Sequence, residues 1–494
     1  MPTKFDGLLD HGRLEDVNLN SATWKPVRTA RWSLDAVRPE FLSLRPGSPK
    51  KKPTVRPTAW LDGLRGFAAF LVYWHHNMLW SHAGKGNFIF ENAFGYEGRH
   101  YFATLPFVRI FFSGGHFAVA IFFVISGYVL SVKGLGLIQK GQTQHATDGI
   151  GSALFRRWLR LYLPILAVTF AWLCIRHATK IWVDMPDMNG TFREDVRTWY
   201  QTFKNYSFVF DTNIYAFTAP YHPHTWSIPI EFKGSIIVYT VLTALAKCTR
   251  NARLWCEIGL IFYFLYIVDG YFGALFMAGM LLCDLELLAQ DDQLPRLLSM
   301  LTGFKELIFF HLFIGALYLG GVPSFDALDV DRTTLISKSP GWKWLSHLKP
   351  QAVFDAKWFY LFWAAFLAVA SIPRLPWLKY FFETRFCQYL GRISFALYLV
   401  HGLVIWTLGD RIYAATGMER PGHKEGIPGW INKFPLSTKQ PVGFELAFWV
   451  PQLVILPATL YLAEMVTKLV DEPSNRFVNW LYRQTLPPPQ SPKR

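Results

Sequence analysis

The chain of 494 residues is 51% hydrophobic, 17% aromatic and only 17% charged, a balance that excludes an ordinary soluble globular domain. Its formal net charge of +15 is not that of a nucleic-acid surface, because Lys and Arg are spread over tails and short loops rather than gathered into one basic stripe. The five cysteines, Cys174, Cys248, Cys256, Cys283 and Cys387, fall in or beside apolar runs without the paired spacing of a disulfide framework or a metal site.

Residues 1–58 are rich in Pro, Lys and Arg, and no apolar run precedes Trp60, which argues against a cleavable signal peptide. Eleven Lys and Arg precede Pro57, so this segment is expected to be a basic, partly disordered tail on the cytoplasmic side. Lys50 to Lys52 read as part of that topology signal rather than as a lipid contact.

The first membrane-length stretch, Trp60 to Trp80, carries Asp62, Arg65, His75 and His76 among residues otherwise apolar enough to span a bilayer. Ionisable groups in a spanning helix are expensive and normally face a protein interior or a wet cavity. Arg65 and His76 are eleven residues apart, which at about 100° per residue returns the second side chain to the face of the first. At about 1.5 Å per residue they lie about 16 Å apart along the axis, a cation toward one membrane surface and an imidazole toward the other.

Further spans are expected near 107–132, 158–177, 226–247, 254–268, 270–289, 304–321, 356–373, 387–409 and 442–466. The pair 254–289, broken near Asp269-Gly270, is the least distinct. The loop 178–225 holds the sequons Asn189-Gly190-Thr191 and Asn205-Tyr206-Ser207, and three preceding spans would place it on the side where glycosylation occurs. The fold class is therefore an all-α polytopic membrane protein, about ten transmembrane helices in a single bundle. Its domain is residues 59–470, followed by a cytoplasmic tail, 471–494, with Glu472-Pro473 read as capping the last span. Both termini are expected in the cytoplasm of a multi-pass protein of an endomembrane, such as the endoplasmic reticulum, or of the plasma membrane. No internal repeat or soluble second domain is visible.

Chemistry-bearing residues recur along the chain. They include His116 in an SGGH turn, Ser126 in FFVISGYVLS, the basic group Arg156, Arg157 and Arg160, Trp226 and Glu231 in HTWSIPIEF, and Tyr398 and His401 in LGRISFALYLVHG. Taken in order, LDGLRG at Leu61 to Gly66 with His76, then FFVISGYVLS, RRWLRLYLP, HTWSIPIEF and LGRISFALYLVHG, the chain resembles the acyltransferase 3 family of integral membrane acyltransferases, in its fungal branch. Two departures stand out: Ala120 lies where many bacterial members carry an acid, and one residue more than usual separates Arg160 from Pro164.

The resemblance implies transfer of an acyl group, commonly acetyl, from acyl-CoA to a hydroxyl of a small metabolite, glycan or lipid. Secondary-metabolite biosynthesis is one setting. Family members have an essential Arg and His separated by ten residues in the first helix, which here are Arg65 and His76. A neutral imidazole can take the proton of an acceptor hydroxyl as it attacks a thioester. Glu231 would orient or charge-stabilise His76, and Arg156, Arg157 and Arg160 would hold the phosphates of the donor. Asp62, His75, His116, Ser126, Trp226, Tyr398 and His401 would line the substrate cavity. Each has a plainer reading: Asp62 and Arg65 as a structural ion pair, the three arginines as topology anchors, Ser126 as a small packing residue, His75 as either the functional imidazole or an interface residue. Acyl-CoA would act as co-substrate with no bound cofactor, and membrane lipid, donor and acceptor would be the partners, with no nucleic acid and no obligate protein. A metal is not expected: His222 and His224 have a tempting spacing but no visible third histidine or acidic partner. A transporter or flippase using an intramembrane charged site is the alternative; the missing inverted repeat counts against it.

Overall fold

A computed structural model describes residues 58–83, 89–186, 188, 190–324 and 332–487. Nearly all of the basic 1–58 tail, the sequon residue Asn189 and the last seven residues lie outside the described residues. Among those described the chain is helical, with no strand.

Helix α1 (Ala59–His82) is followed by short turns and α2 (Gly115–Gln139), α3 (Thr143–Thr179), α4 (Ser227–Ala244), α5 (Arg250–Phe262), α6 (Tyr271–Gln290) and α7 (Lys305–Gly320). Then come α8 (Lys357–Ser371), α9 (Arg385–Val404), α10 (Leu446–Val466) and α11 (Glu472–Gln484). Five helical stretches, Gly115–Gln139, Thr143–Thr179, Tyr271–Gln290, Arg385–Thr416 and Leu446–Gln484, are long and apolar enough to cross a membrane. A sixth forms if Lys357–Arg374 and Pro376–Phe382, bent by 100°, count as one span. The all-helical class holds, but the expected ten membrane spans are not found among the described residues: five helices, or six with the bent pair, are long and apolar enough to cross. Helices α5, α7 and α8 are short, and α1 and α4 carry interior polar groups that lower their apolarity.

Two boundaries differ from expectation. The second span begins at Gly115, not 107, because Phe102–Thr104 and Ile110–Ser113 are isolated turns and Phe107 adopts a φ of 66°, outside any helix. At the other end, Pro473 does not stop the chain's helix. A π turn at Thr467–Asp471 feeds directly into α11, where Pro473 sits in the first turn and its missing N–H is harmless.

Glycines set the closest helix crossings. A Cβ at Gly66 would stand 2.2 Å from the Gly391 nitrogen, one at Gly391 would stand 2.4 Å from the Asp62 carbonyl oxygen, and one at Gly63 would overlap the Phe382 carbonyl. Helices α1 and α9 therefore touch backbone to backbone. They run parallel: Asp62 lies beside Gly391, His76 beside His401, and Asn77 accepts from Tyr413 Oη at 2.7 Å. Helices α2 and α6 repeat the device, with Gly127 against the Phe276 carbonyl and Gly279 against the Val124 carbonyl, each 2.0 Å from a hypothetical Cβ. Interior polar groups are paired across helices. Arg253 of α5 binds Asp284 of α6 through two bonds of 2.6 and 2.8 Å, and Tyr73 of α1 donates to Gln452 of α10 at 2.7 Å.

Gly391→Ala should reduce the yield of monodisperse protein in detergent size exclusion and lower its melting temperature, since the obstacle is backbone and overpacking costs about 1–3 kcal/mol or more. Gly136→Ala, which would meet nothing within 4 Å, is the matched control and should leave both unchanged.

Candidate active site

Helix α1 presents its ionisable groups to two different environments. At its beginning, Arg65 Nη2 donates to Asp62 Oδ1 at 3.2 Å, and Nε donates to Ser394 Oγ at 3.2 Å across the α1–α9 crossing. Asp62 borders a cavity of about 490 Å³ whose wall also carries Lys133, His145, Arg156, Arg157 and Arg160. Cations thus collect around a space large enough for a sizeable ligand, at the Asp62 end of α1.

The three arginines are not equivalent. Arg157 is buried and committed: Nη2 binds Glu231 Oε1 at 2.5 Å and Nε donates to Ser235 Oγ at 2.8 Å. Arg156 is held at the rim by Asn479 Oδ1 at 2.9 Å and lies over the Tyr482 ring. Arg160, one turn further along α3, feels the charge of Asp471.

Glu231 was expected to orient His76, and the geometry does not place it there. Its carboxylate is taken by Arg157, with Ser126 as a further hydrogen-bond donor. Ser126 therefore faces a carboxylate, with no elbow that would expose it as a nucleophile. Trp226, in the turn before α4, packs edge-on to Trp358 with centroids 6.1 Å apart.

At the other end of α1 the rings of His76, His224 and His401 stack. His76 and His224 have centroids 3.7 Å apart, and His224 and His401 lie 4.6 Å apart with planes 7° from parallel. His76 Nδ1 is 3.1 Å from His401 Nε2, and His401 Nδ1 is 3.1 Å from the Leu397 carbonyl oxygen. A carbonyl only accepts, so His401 carries its proton on Nδ1 and presents a lone pair at Nε2; His76 then donates through its own Nδ1. This chain leaves His76 Nε2 as a free lone pair. Tyr398, one turn before His401, bonds Ser227 Oγ at 2.8 Å and also the His224 carbonyl, fixing the turn that delivers His224. Gly402 leaves room for it: a Cβ there would be 2.8 Å from His224 Nδ1.

His75 and His116 belong to a separate group around Glu91. Glu91 Oε1 is 3.5 Å from His116 Nδ1 and 4.0 Å from His75 Nε2. Both sets, His76–His224–His401 and His75–Glu91–His116, hold their donor atoms within 4.8 Å of one another, the spread a metal would need. The third histidine that His222 and His224 lacked in the sequence is thus supplied by the fold for His224; His222 instead bonds the Leu399 carbonyl at 2.7 Å. Near-parallel rings, however, keep their in-plane lone pairs from meeting on one ion, so the first set would have to rotate to bind a metal. Glu91 and His224 are the groups the sequence reading did not single out as site residues. Asn205 is exposed in the last turn of the Phe192–Tyr206 helix, but the other two residues of its sequon, Tyr206 and Ser207, are buried.

Residues 58–463 match the model of a family described as Acyltransferase domain. The chain is 29% identical to O-acetyltransferase PaAT-1 of Phomopsis amygdali over 94% of this chain and 92% of that protein. It is 23% identical to Acyltransferase R4 of a Phoma species over 87% and 98% of the two chains, and 24% identical to Acyltransferase clz18 of Cochliobolus lunatus over 77% and 83%. No solved structure matches.

Replacing one partner of a buried ion pair strands the other. Glu231→Gln should therefore destabilise the protein, by about 3–5 kcal/mol where burial is complete, and less here because the Glu231 side chain is 14% exposed. Glu231→Gln combined with Arg157→Met should recover part of that loss in a thermal-melt double-mutant cycle.

Proposed function

Because the chain belongs to this acyltransferase family, we propose that it is a membrane O-acyltransferase that moves an acetyl group from acetyl-CoA to a hydroxyl of a small metabolite, glycan or lipid. The observation that carries this reading is the division of α1, with a cation-lined cavity at one end and an imidazole with an unencumbered Nε2 about 16 Å away at the other. That interval is similar in scale to a pantetheine arm. In this reading Arg156 and Arg160 grip the donor's phosphates, and Arg65, held by Asp62 and Ser394, sits deeper along the arm.

The acceptor hydroxyl gives its proton to His76 Nε2 as its oxygen attacks the thioester carbonyl. The C–S bond breaks, and the departing CoA thiolate takes up a proton, so the reaction is balanced without a further reactant. His401 has the supporting role, accepting from His76 Nδ1 and favouring the tautomer that makes Nε2 the base. One of the fungal relatives is named as an O-acetyltransferase, which favours acetyl as the group moved. The basic tail supports a donor cavity that faces the cytoplasm, in an endomembrane or the plasma membrane.

The test is transfer of labelled acetyl from acetyl-CoA into extracts of the host organism by detergent-purified protein. His76→Ala should abolish transfer, by at least about a hundredfold, without shifting the melting temperature by more than a degree or two. His401→Phe should lower kcat with little change in the donor KM. Arg156→Gln and Arg160→Gln should instead raise that KM, by about tenfold each, with the effect shrinking at high salt. Transfer that survives His76→Ala would move the base to another histidine. Absence of transfer across varied donors would remove the reading.

A further inference from the structure

Arg109 is a buried cation that the reaction does not use. It precedes α2 in the turn after Pro106 and is only 3% exposed. Its Nη2 donates to the Phe90 carbonyl at 3.2 Å, but Nε and Nη1 are buried with no hydrogen-bond partner. Burial lowers its pKa to about 10, partly opposed by the charge of Glu91, so the group is still a cation at neutral pH. No ion pair within 4 Å joins it to Glu91 among the described residues; the Glu91 carboxylate is engaged by Ser324 Oγ at 3.2 Å and by His116. Two unpartnered nitrogens on a buried guanidinium are a cost that a bound hydrogen-bond acceptor would offset.

The space beside it is shaped. Arg109 lines a cavity of about 230 Å³ together with Phe94, Thr104, Tyr318, Gly321 and Trp342. Tyr318 and Trp342 stack with centroids 5.1 Å apart, and the Tyr318 hydroxyl donates to the carbonyl of Gly341, another lining residue, at 2.7 Å. Gly321 makes room for the arginine stem: a Cβ there would be 2.8 Å from Arg109 Cδ. A fixed guanidinium fork at one side and flat aromatic walls at the other match an oxyanion carried on a planar apolar body. No histidine lines the cavity, but a chain of contacts leads from it to the histidines. Phe90, which Arg109 binds, precedes Glu91, and Glu91 reaches His75, whose ring centroid is 5.2 Å from that of His76.

We propose that the Arg109 cavity is an acceptor-recognition subsite for a carboxylate or phosphate monoester attached to a flat, apolar group, presented beside the histidine cluster. The word acceptor rests on the acyl-transfer reading; the binding does not, and the two can fail separately.

Binding of benzoate, phenyl phosphate, benzyl alcohol and inorganic phosphate to the full-length protein in detergent, by calorimetry and thermal shift, tests the site. Benzoate or phenyl phosphate should bind at least about tenfold more tightly than benzyl alcohol, the ring without its charge. Either should also outbind inorganic phosphate, the charge without its ring. Arg109→Met should lose that affinity by the same factor while melting at an unchanged or higher temperature without ligand, because it removes orphaned polar atoms. Equal binding of benzoate by Arg109→Met, or of benzyl alcohol by the native chain, overturns the proposal. If Arg109→Met does not fold, Arg109→Lys decides: the charge remains but the fork is gone, so affinity should fall several-fold, and unchanged affinity overturns the site. An acceptor role adds one requirement, that benzoate slows acetyl transfer without altering the KM for acetyl-CoA. Binding without inhibition would leave an anion site but overturn its place in acceptor recognition.

Discussion

The arrangement depends on one close contact, the crossing of α1 over α9 at Gly66 and Gly391. Where no side chain intervenes, two parallel helices can lie in backbone contact along their length. Everything polar on the inner face of α1 then finds its partner on α9 at a predictable height: Arg65 at Ser394, His76 at His401, Asn77 at the continuation that carries Tyr413. A side chain at the crossing would part the helices along that whole seam. Active-site geometry here follows from a packing contact, Gly66 on Gly391, that lies ten residues from His76 and from His401.

The second organising feature is how charge is kept in an apolar interior. Arg253 with Asp284, Arg157 with Glu231 and Arg65 with Asp62 are each paired across or along helices, so none stands as an uncompensated buried ion. The histidine stack follows a different rule. His224 lies face to face with His76 and His401, and those two are joined by a hydrogen bond, so the group is held by ring contact and N–H···N bonding instead of by opposite charge. A neutral, hydrogen-bonded stack and a set of charged pairs are two solutions to the same solvent problem, and the two ends of α1 each use one.

Much of this was legible in the residues. A cation and an imidazole in register on a spanning helix stand out because the membrane penalises them, and the Arg65–His76 phase needs only the helical repeat. The basic character of Arg156, Arg157 and Arg160 was equally plain, but which of them is buried depends on the rotation of α3, which its long and weakly amphipathic sequence does not define. Glu231 was recognisable as a buried acid, yet its partner lies on another helix 74 residues away, and no local pattern distinguishes an arginine from a histidine there. The start of α2 was misplaced because apolar residues continue through the turn at 107–113; Pro106 and the pair Gly114-Gly115 were the punctuation. His224 needed the fold itself, since its place in the stack comes from a turn pinned by Tyr398.

The parallel pairing of α1 with α9 also has a temporal side. His76 and His401 are 325 residues apart, so at about 5–20 residues per second roughly a quarter of a minute to a minute separates the synthesis of the two halves of the stack. During that interval α1 sits in the translocation machinery or the bilayer with Asp62 and Arg65 paired only to each other and His76 still waiting for His401. A nascent chain in this condition displays the signature of an unfinished membrane protein, and only the arrival of the penultimate long helix removes it. Completion of the active site and release from quality control would then be one event.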